Sequence, residues 1–213
     1  MTTLKKFTTS ASKPLPVIIL ADVSGSMLGP PINMLNQAMA EMISSFAGVK
    51  DERAEIHVAV ITFGGDAEVH TPLTPAAELA WTDMSAGGQT PMGSAFELAR
   101  QMMEDKDAIP SRAFRPMVVL LSDGAPTDNW EPPLQGLLSG RAAKAERLAM
   151  GIGAADKAVL RKFLDDPEKP IFEASDASHI VDFFQFVTMS VTARSRSANP
   201  NALIPVNNPF QLG

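Results

Sequence analysis

The sequence contains no cysteine, and this absence excludes several classes of protein. A small secreted module held together by disulfides needs pairs of cysteines. A thiolate metal site and a cysteine nucleophile are excluded for the same reason. A chain of 213 residues buries roughly 70% of its unfolded surface on folding, so it needs neither disulfides nor a structural metal in order to fold.

Basic residues and long apolar runs are also scarce. The 18 Lys and Arg residues are outnumbered by 24 Asp and Glu residues, which gives a net charge of −6, and we therefore expect no nucleic-acid partner. The apolar run Val17–Ala21, as long as any in the chain, is far too short to cross a bilayer. No apolar stretch follows Lys5 and Lys6, as one would in a signal peptide. We expect a cytoplasmic protein without a membrane partner.

Strand and helix patterns alternate along most of the chain. Short apolar runs are typical of buried parallel strands, and apolar residues at helical spacing indicate amphipathic helices. Such alternation predicts an α/β fold with a doubly wound, Rossmann-like, mostly parallel sheet of six strands, one antiparallel edge strand and helices on both faces. The predicted strands are Val17–Ala21, Ile56–Phe63, Glu68–Thr71, Met117–Leu121, Leu148–Ile152 and Ile171–Ala174; helices are predicted at 32–46, from Thr90-Pro91 to Met103, at Lys157–Leu164 and at Ala177–Arg194.

This pattern occupies a single domain, which we place at residues 14–194. Residues 1–13 are polar and rich in Ser and Thr, and they are predicted to be flexible. Residues 195–213 form a tail rich in Pro and Asn without predicted regular structure. The tail also contains spaced apolar residues, so docking on its own domain, docking on a partner and plain disorder remain alternatives.

Two of the most apolar strands run directly into an aspartate. Val17–Ala21 ends at Asp22, and Met117–Leu121 is followed by Ser122 and Asp123. Open parallel sheets bind ligands at the carboxyl ends of their strands, where the strand order reverses. Neither loop contains a Lys or Arg that could neutralise the two carboxylates, which would repel each other and shift each other's titration. A bound cation is the simplest way to stabilise such a pair.

Hydroxyl groups accompany both carboxylates. Ser24 and Ser26 follow Asp22 at every second position, so the three side chains point the same way in an extended loop. Thr90 follows the flexible segment Gly87-Gly88-Gln89 at the start of a predicted helix. Hard oxygen donors of this kind suit Mg²⁺, with Mn²⁺ or Ca²⁺ as further possibilities, rather than zinc or copper. The sequence therefore predicts a metal site made of Asp22, Ser24, Ser26, Thr90 and Asp123.

These residues resemble the metal ion-dependent adhesion site of von Willebrand factor A domains, in which an Asp-x-Ser-x-Ser motif is followed by a Thr and then an Asp. All five positions occur here in order, and the resemblance covers about residues 15–192. It implies that the two serines and Thr90 bind the ion directly, while Asp22 and Asp123 bind directly or through water. It also implies that an Asp or Glu of a protein partner completes the coordination shell.

The stretch Asp123–Trp130 is similar to TerY-like proteins, a bacterial subfamily associated with tellurium resistance. That similarity implies a stress-response or phospho-signalling role with a kinase-like or phosphatase partner. It does not imply that this chain handles tellurite, since there is no thiol to reduce or trap an oxyanion.

Simpler interpretations apply to several of these residues. Asp22 and Asp123 could cap the helices that follow them. Asp128 is interpreted as a turn or capping residue rather than as a ligand, and Glu131 as an acidic residue in the first turn of a helix. Trp130 could anchor a partner or pack over the sheet edge.

An enzymatic role is the main alternative to a binding role. The same ion could assist hydrolysis of a phosphoester. However, the sequence lacks a Walker loop, a dinucleotide-binding fingerprint and a nucleophile elbow. None of the three histidines lies at metal-ligand spacing, and we find no candidate for the general base. We therefore predict a binding module and not an enzyme.

Overall fold

The computed structural model describes residues 12–175 and 178–202. Strands and helices alternate along this part of the chain, with a 3-10 turn at Gly25–Met27 and another at Ala142–Lys144. The strands are β1 (Lys13–Asp22), β2 (Ala54–Gly64), β3 (Asp66–Pro75), β4 (Met117–Ser122), β5 (Glu146–Ile152) and β6 (Ile171–Ala174), and the helices are α1 (Pro30–Ala47), α2 (Met92–Glu104), α3 (Glu131–Leu137), α4 (Lys157–Leu164) and α5 (Ser178–Arg196).

The six strands form one sheet in the order β3-β2-β1-β4-β5-β6. Only the edge strand β3 is antiparallel to its neighbour. The chain moves outward from β1 to β3 and then returns to place β4 on the other side of β1. The strand order therefore reverses between β1 and β4, and the predicted fold is confirmed.

Helices cover both faces of this sheet, which explains why its central strands are continuously apolar. Val17 and Ile19 of β1 point into a core formed with α1 and α5. Ile18 and Leu20 point into a second core formed with α2, α3 and α4. Within the described ranges, no helix has both the length and the apolar character needed to span a membrane.

The structure differs from the sequence-based expectation at several boundaries. The strand β1 begins at Lys13, whose backbone N–H donates to the carbonyl of Arg53 over 2.9 Å. The bounds of the short helix α3 were not predicted, because its first turn contains two prolines, which usually mark loops, although Glu131 was interpreted as an acidic residue in a first helical turn. At the other end of the domain, α5 continues to Arg196 rather than ending at Arg194.

Arg194 holds the residues that follow α5 against the domain. Arg194 is only 2% exposed, and its guanidinium donates to the carbonyls of Pro200 and Arg115. These bonds hold the chain after α5 against the domain. Of the predicted flexible N-terminus, residues 1–13, and the predicted tail, residues 195–213, the parts at 1–11 and 203–213 lie outside the described residues.

Close backbone crossings fix the loops at the carboxyl ends of β1 and β2. The N–H of Gly25 donates to the carbonyl of Gly88 over 3.0 Å, and the N–H of Gly87 donates to the carbonyl of Val23 over 2.7 Å. Gly88 has a φ of +76°, and a Cβ atom there would lie 2.5 Å from the backbone of Gly65. The loop after β1, the loop after β2 and the loop before α2 meet here, and only glycine at position 88 allows them to approach this closely.

We therefore expect Gly88→Ala to lower the free energy of unfolding by roughly 2–4 kcal/mol, because the alanine would be strained and overpacked. The adjacent Gly87 is a matched control, since a Cβ atom there has no neighbour within 4 Å. Urea denaturation of both variants tests this difference. Equal stability of the two variants would contradict it.

Candidate metal centre

The site is built around Asp22, the last residue of β1, whose side chain is fully buried. Its Oδ1 accepts a hydrogen bond of 2.9 Å from the backbone N–H of Ser24. Its Oδ2 accepts a hydrogen bond of 2.6 Å from the hydroxyl of Ser122, the last residue of β4. The carboxylate thus lies between the two strands that flank the reversal of strand order.

A chain of oxygen atoms leads from this carboxylate to the surface. The hydroxyls of Ser24 and Ser26 are 3.1 Å apart. The hydroxyl of Ser26 donates to Oδ1 of Asp123 over 2.7 Å, across 97 residues of sequence. Ser24 is 2% exposed, whereas Ser26 is exposed and Asp123 partly exposed. The site is therefore deep at Asp22 and open at Ser26.

Thr90 borders the same site from the loop that precedes α2. It is 6% exposed, and its hydroxyl lies 3.8 Å from the point where a Cβ atom of Gly124 would stand. The structure thus brings all five predicted side chains to the carboxyl ends of β1 and β4. The helix α2 begins at Met92 and not at the predicted Thr90-Pro91, and Pro91 occupies its cap position.

Burial raises the pKa of Asp22 above its ordinary value of 3.8, and the nearby Asp123 adds to this effect. The hydrogen bonds from Ser122 and Ser24 act in the opposite direction. Among the described residues, no Lys or Arg forms an ion pair with Asp22 or Asp123. A carboxylate that is buried with only neutral donors gains strongly from a cation. The donor set consists of carboxylates and hydroxyls, and it fits a hard divalent ion.

Ser122 is the residue of this site that sequence reasoning did not single out. It is fully buried, and besides Asp22 it contacts the backbone of Gly124. A hydroxyl at the buried end of a strand, directly before a candidate ligand, was the available indication. Its contribution depends on the pairing of β1 with β4, which the sequence alone does not reveal.

Three neighbouring residues have structural roles. Asp128 caps α2, because its carboxylate accepts hydrogen bonds from the backbone N–H groups of Gly93 and Ser94. Glu131 lies in the first turn of α3 and forms an ion pair of 2.8 Å with Lys162. Trp130 packs against the core, and Lys162 Nζ lies 4.9 Å from the centre of its ring.

Two of the histidines have their partners away from the site. The part of the chain that the structure describes contains no group of three or more His, Asp or Glu side chains suited to a metal ion. His57 contacts Glu55, and His70 contacts the carbonyl of Thr82; neither touches Asp22 or Asp123. No observation therefore favours the phosphoester-hydrolase alternative.

The chain is an open α/β sheet with carboxylates and hydroxyls at the point where its strand order reverses, and this arrangement is typical of domains with a metal site. The family model for the von Willebrand factor type A domain matches residues 17–186. This chain belongs to that family. A search of curated proteins finds no match.

Solved structures share the fold at low sequence identity. Proximal thread matrix protein 1 from the mussel byssus is 16% identical with a TM-score of 0.66. The match covers 86% of this chain and 49% of that one. In that structure zinc occupies the metal ion-dependent adhesion site (MIDAS) motif. A von Willebrand factor type A protein from Catenulispora acidiphila is 24% identical with a TM-score of 0.61, over 87% of this chain and 43% of that one. This chain thus spans about half the length of these two proteins. The protein BatB from Bacteroides thetaiotaomicron is 16% identical with a TM-score of 0.56, over 84% of this chain and 99% of that one.

The buried carboxylate generates a prediction about stability without metal. Because the pKa of Asp22 is raised in the folded state, the unfolded chain loses this proton at lower pH than the folded one. At any pH above 3.8, ionisation of Asp22 therefore lowers the free energy of unfolding of the metal-free protein. This destabilisation grows until the pH exceeds the pKa of Asp22 in the folded state. We expect Asp22→Asn to raise the midpoint of thermal unfolding in chelator at neutral pH.

The gain should vanish when the pH falls below the unfolded-state value. Asp123→Asn is the control, since this carboxyl group is partly exposed, and we expect a smaller change. Thermal unfolding of the three proteins in chelator between acidic and neutral pH measures the effect. A lower midpoint for Asp22→Asn than for wild type at neutral pH would show that the ionised carboxylate stabilises the metal-free fold.

Proposed function

We propose that this domain binds one divalent cation through Asp22, Ser24, Ser26, Thr90 and Asp123, and that the cation captures an acidic side chain of a partner protein. The observation that carries the proposal is the environment of Asp22. Its carboxylate is fully buried, receives hydrogen bonds only from Ser24 and Ser122 within the described structure, and lies near a second carboxylate.

Magnesium is the ion that we propose for the site. Two carboxylates and three hydroxyls offer hard oxygen atoms, and Mg²⁺ completes its six positions with water or with a ligand from outside. Mn²⁺ and Ca²⁺ accept the same donors. The mussel protein has zinc in its motif, so Zn²⁺ belongs in any comparison of metal affinities, although zinc usually takes nitrogen and sulfur ligands.

The charge of the site favours an acidic ligand. At most two negative charges surround the ion, so a divalent cation retains its attraction for a further carboxylate. The open end at Ser26 gives a partner access to the ion. Leu28, two residues after Ser26 in the chain, is 62% exposed. An Asp or Glu of a partner that occupied the open position would be held by the ion.

The cellular setting is also part of the proposal. The similarity of Asp123–Trp130 to TerY-like proteins supports a role in a bacterial stress-response or tellurium-resistance-type signalling system. In that setting a kinase-like or phosphatase protein would offer the acidic residue, and the domain would act in the cytoplasm. We propose that the domain itself is a binding module without catalytic activity.

Calorimetric titration of the chelator-stripped protein with Mg²⁺ and Mn²⁺ is the direct test of the metal site. We expect binding at one site, and we expect it to be lost in Asp22→Ala while the circular dichroism spectrum is retained. An ion present at about 100 times its Kd stabilises the fold by about 2.7 kcal/mol, which raises the unfolding midpoint of a domain of this size by roughly 5–10 °C. Heat signals that persist in Asp22→Ala would place the ion elsewhere.

Partner capture is tested separately. The immobilised wild-type domain should retain a partner from a cell extract in Mg²⁺ and release it in excess chelator, and Asp123→Ala should retain none. Substitution of Asp or Glu residues in the identified partner should then remove binding. Capture that survives both the chelator and the Asp123→Ala substitution would refute the metal-dependent mode.

A further inference from the structure

The helix α2 obtains its N-terminal cap from a distant loop. The residue at its cap position, Pro91, makes no side-chain hydrogen bond to the first turn. Instead, the Asp128 carboxylate accepts bonds of 2.9 Å from the N–H groups of Gly93 and of Ser94, and one of 3.1 Å from the Ser94 hydroxyl. Free N–H groups at a helix start need such acceptors. The cap therefore ties α2 to the loop that follows β4.

A second contact joins the same loop directly to Thr90. The N–H of Thr90 donates to the hydroxyl of Thr127 over 3.0 Å. The N–H of Thr127 donates to the carbonyl of Thr90 over 3.0 Å. This reciprocal pair fixes the backbone of Thr90 on both sides of its side chain.

The loop that follows β4 lies close against the first turn of α2. A Cβ atom at Gly93 would lie 2.7 Å from Cα of Trp130 and 2.9 Å from the carbonyl oxygen of Asn129. Real side chains do not tolerate such distances, so glycine is required for the loop to lie against the helix. The loop that approaches is also the one that contains Asp123, so the contacts set the spacing between Thr90 and Asp123.

We propose that Thr127 and Asp128 are positioning residues, which set the cation affinity of the site by holding Thr90 in place without binding the ion themselves. The inference rests on the proposed metal site. Both Asp128 oxygens already accept hydrogen bonds from α2, and the contacts of Thr127 are to the Thr90 backbone. Residues 80–86, which lead to Thr90, have no helix or strand of their own. The hydrogen bonds from Thr127 and Asp128 therefore hold in place the loop that contains Thr90.

The test is the affinity of Thr127→Val and Asp128→Ala for Mg²⁺ and Mn²⁺, measured by calorimetry at a temperature where each variant is fully folded. Thr127→Val preserves the shape of the side chain but removes the hydroxyl, and we expect Kd to rise about 10- to 100-fold, as for other groups that orient metal ligands. Asp128→Ala should give a loss of similar size. Thr127→Ser restores the hydroxyl, and we expect it to recover most of the affinity.

Asp156→Ala is the matched control. Asp156 caps α4 because its side chain accepts hydrogen bonds from the N–H groups of Ala158 and Val159. Its backbone N–H donates to the carbonyl of Gly124 over 3.5 Å, and a change of side chain keeps that bond, so the substitution destabilises a helix start of the same kind and leaves the contacts of Thr90 in place. We expect its thermal midpoint to fall while its Kd for Mg²⁺ stays within about twofold of wild type. Should Asp128→Ala fail to fold, the comparison of Thr127→Val with Thr127→Ser decides the question.

The possible results separate the two proposals. Absence of metal binding in the wild-type domain refutes the proposed function itself. Binding in wild type with unchanged Kd in Thr127→Val and Asp128→Ala refutes the positioning role alone. An equal loss of affinity in Asp156→Ala would assign the effect to general destabilisation and would also overturn the positioning role.

Discussion

The burial of the Asp22 carboxylate is the constraint on which the rest of the site depends. A charge at the buried end of an apolar strand is costly unless its surroundings compensate for it. Here the backbone of Ser24 and the hydroxyl of Ser122 supply hydrogen bonds, but burial still raises the pKa of the group. The proposed cation would offset the free energy that burial of this carboxylate costs. Under that proposal, the stability of the metal-free domain and its affinity for metal are opposed at this residue.

The loops around Asp22 are held mainly through their backbones. Backbone N–H groups of Gly25 and Gly65 donate to the carbonyls of Gly88 and Gln89, and Gly88 approaches Gly65 so closely that a Cβ atom at position 88 would clash. The cap of α2 by Asp128 adds a further connection. Side chains that line the site can thus be as short as serine and threonine, because the backbone of the loops and not the length of the side chains brings the hydroxyl groups together. A rigid frame of this kind also reduces the ordering that binding has to accomplish.

Most of the fold could be predicted from the sequence because its central strands are apolar on both faces, and such runs are characteristic of a covered parallel sheet. Asp22 and Asp123 could be predicted as candidate ligands because they come at the ends of such strands, and Ser24, Ser26 and Thr90 because of their spacing and their resemblance to the adhesion-site motif. The role of Ser122 could not, since it depends on which strand lies beside β1. The helix α3 was hidden by its prolines, and the remote cap of α2 was hidden because Asp128 and Gly93 are 35 residues apart. Local patterns carry no information about such contacts, although the prediction that Asp128 caps a helix is confirmed.

The two edges of the sheet have a consequence for how this domain meets other molecules. The outer strand β3 contains Pro72 and ends at Pro75, and proline interrupts the row of N–H donors that an added strand would need. The opposite edge, β6, is only four residues long. Both edges are thus poor templates for strand addition, the commonest route by which sheets associate without specificity. A domain protected in this way can be present at high concentration or in tandem with others, and the proposed recognition of a partner falls to the ends of its strands.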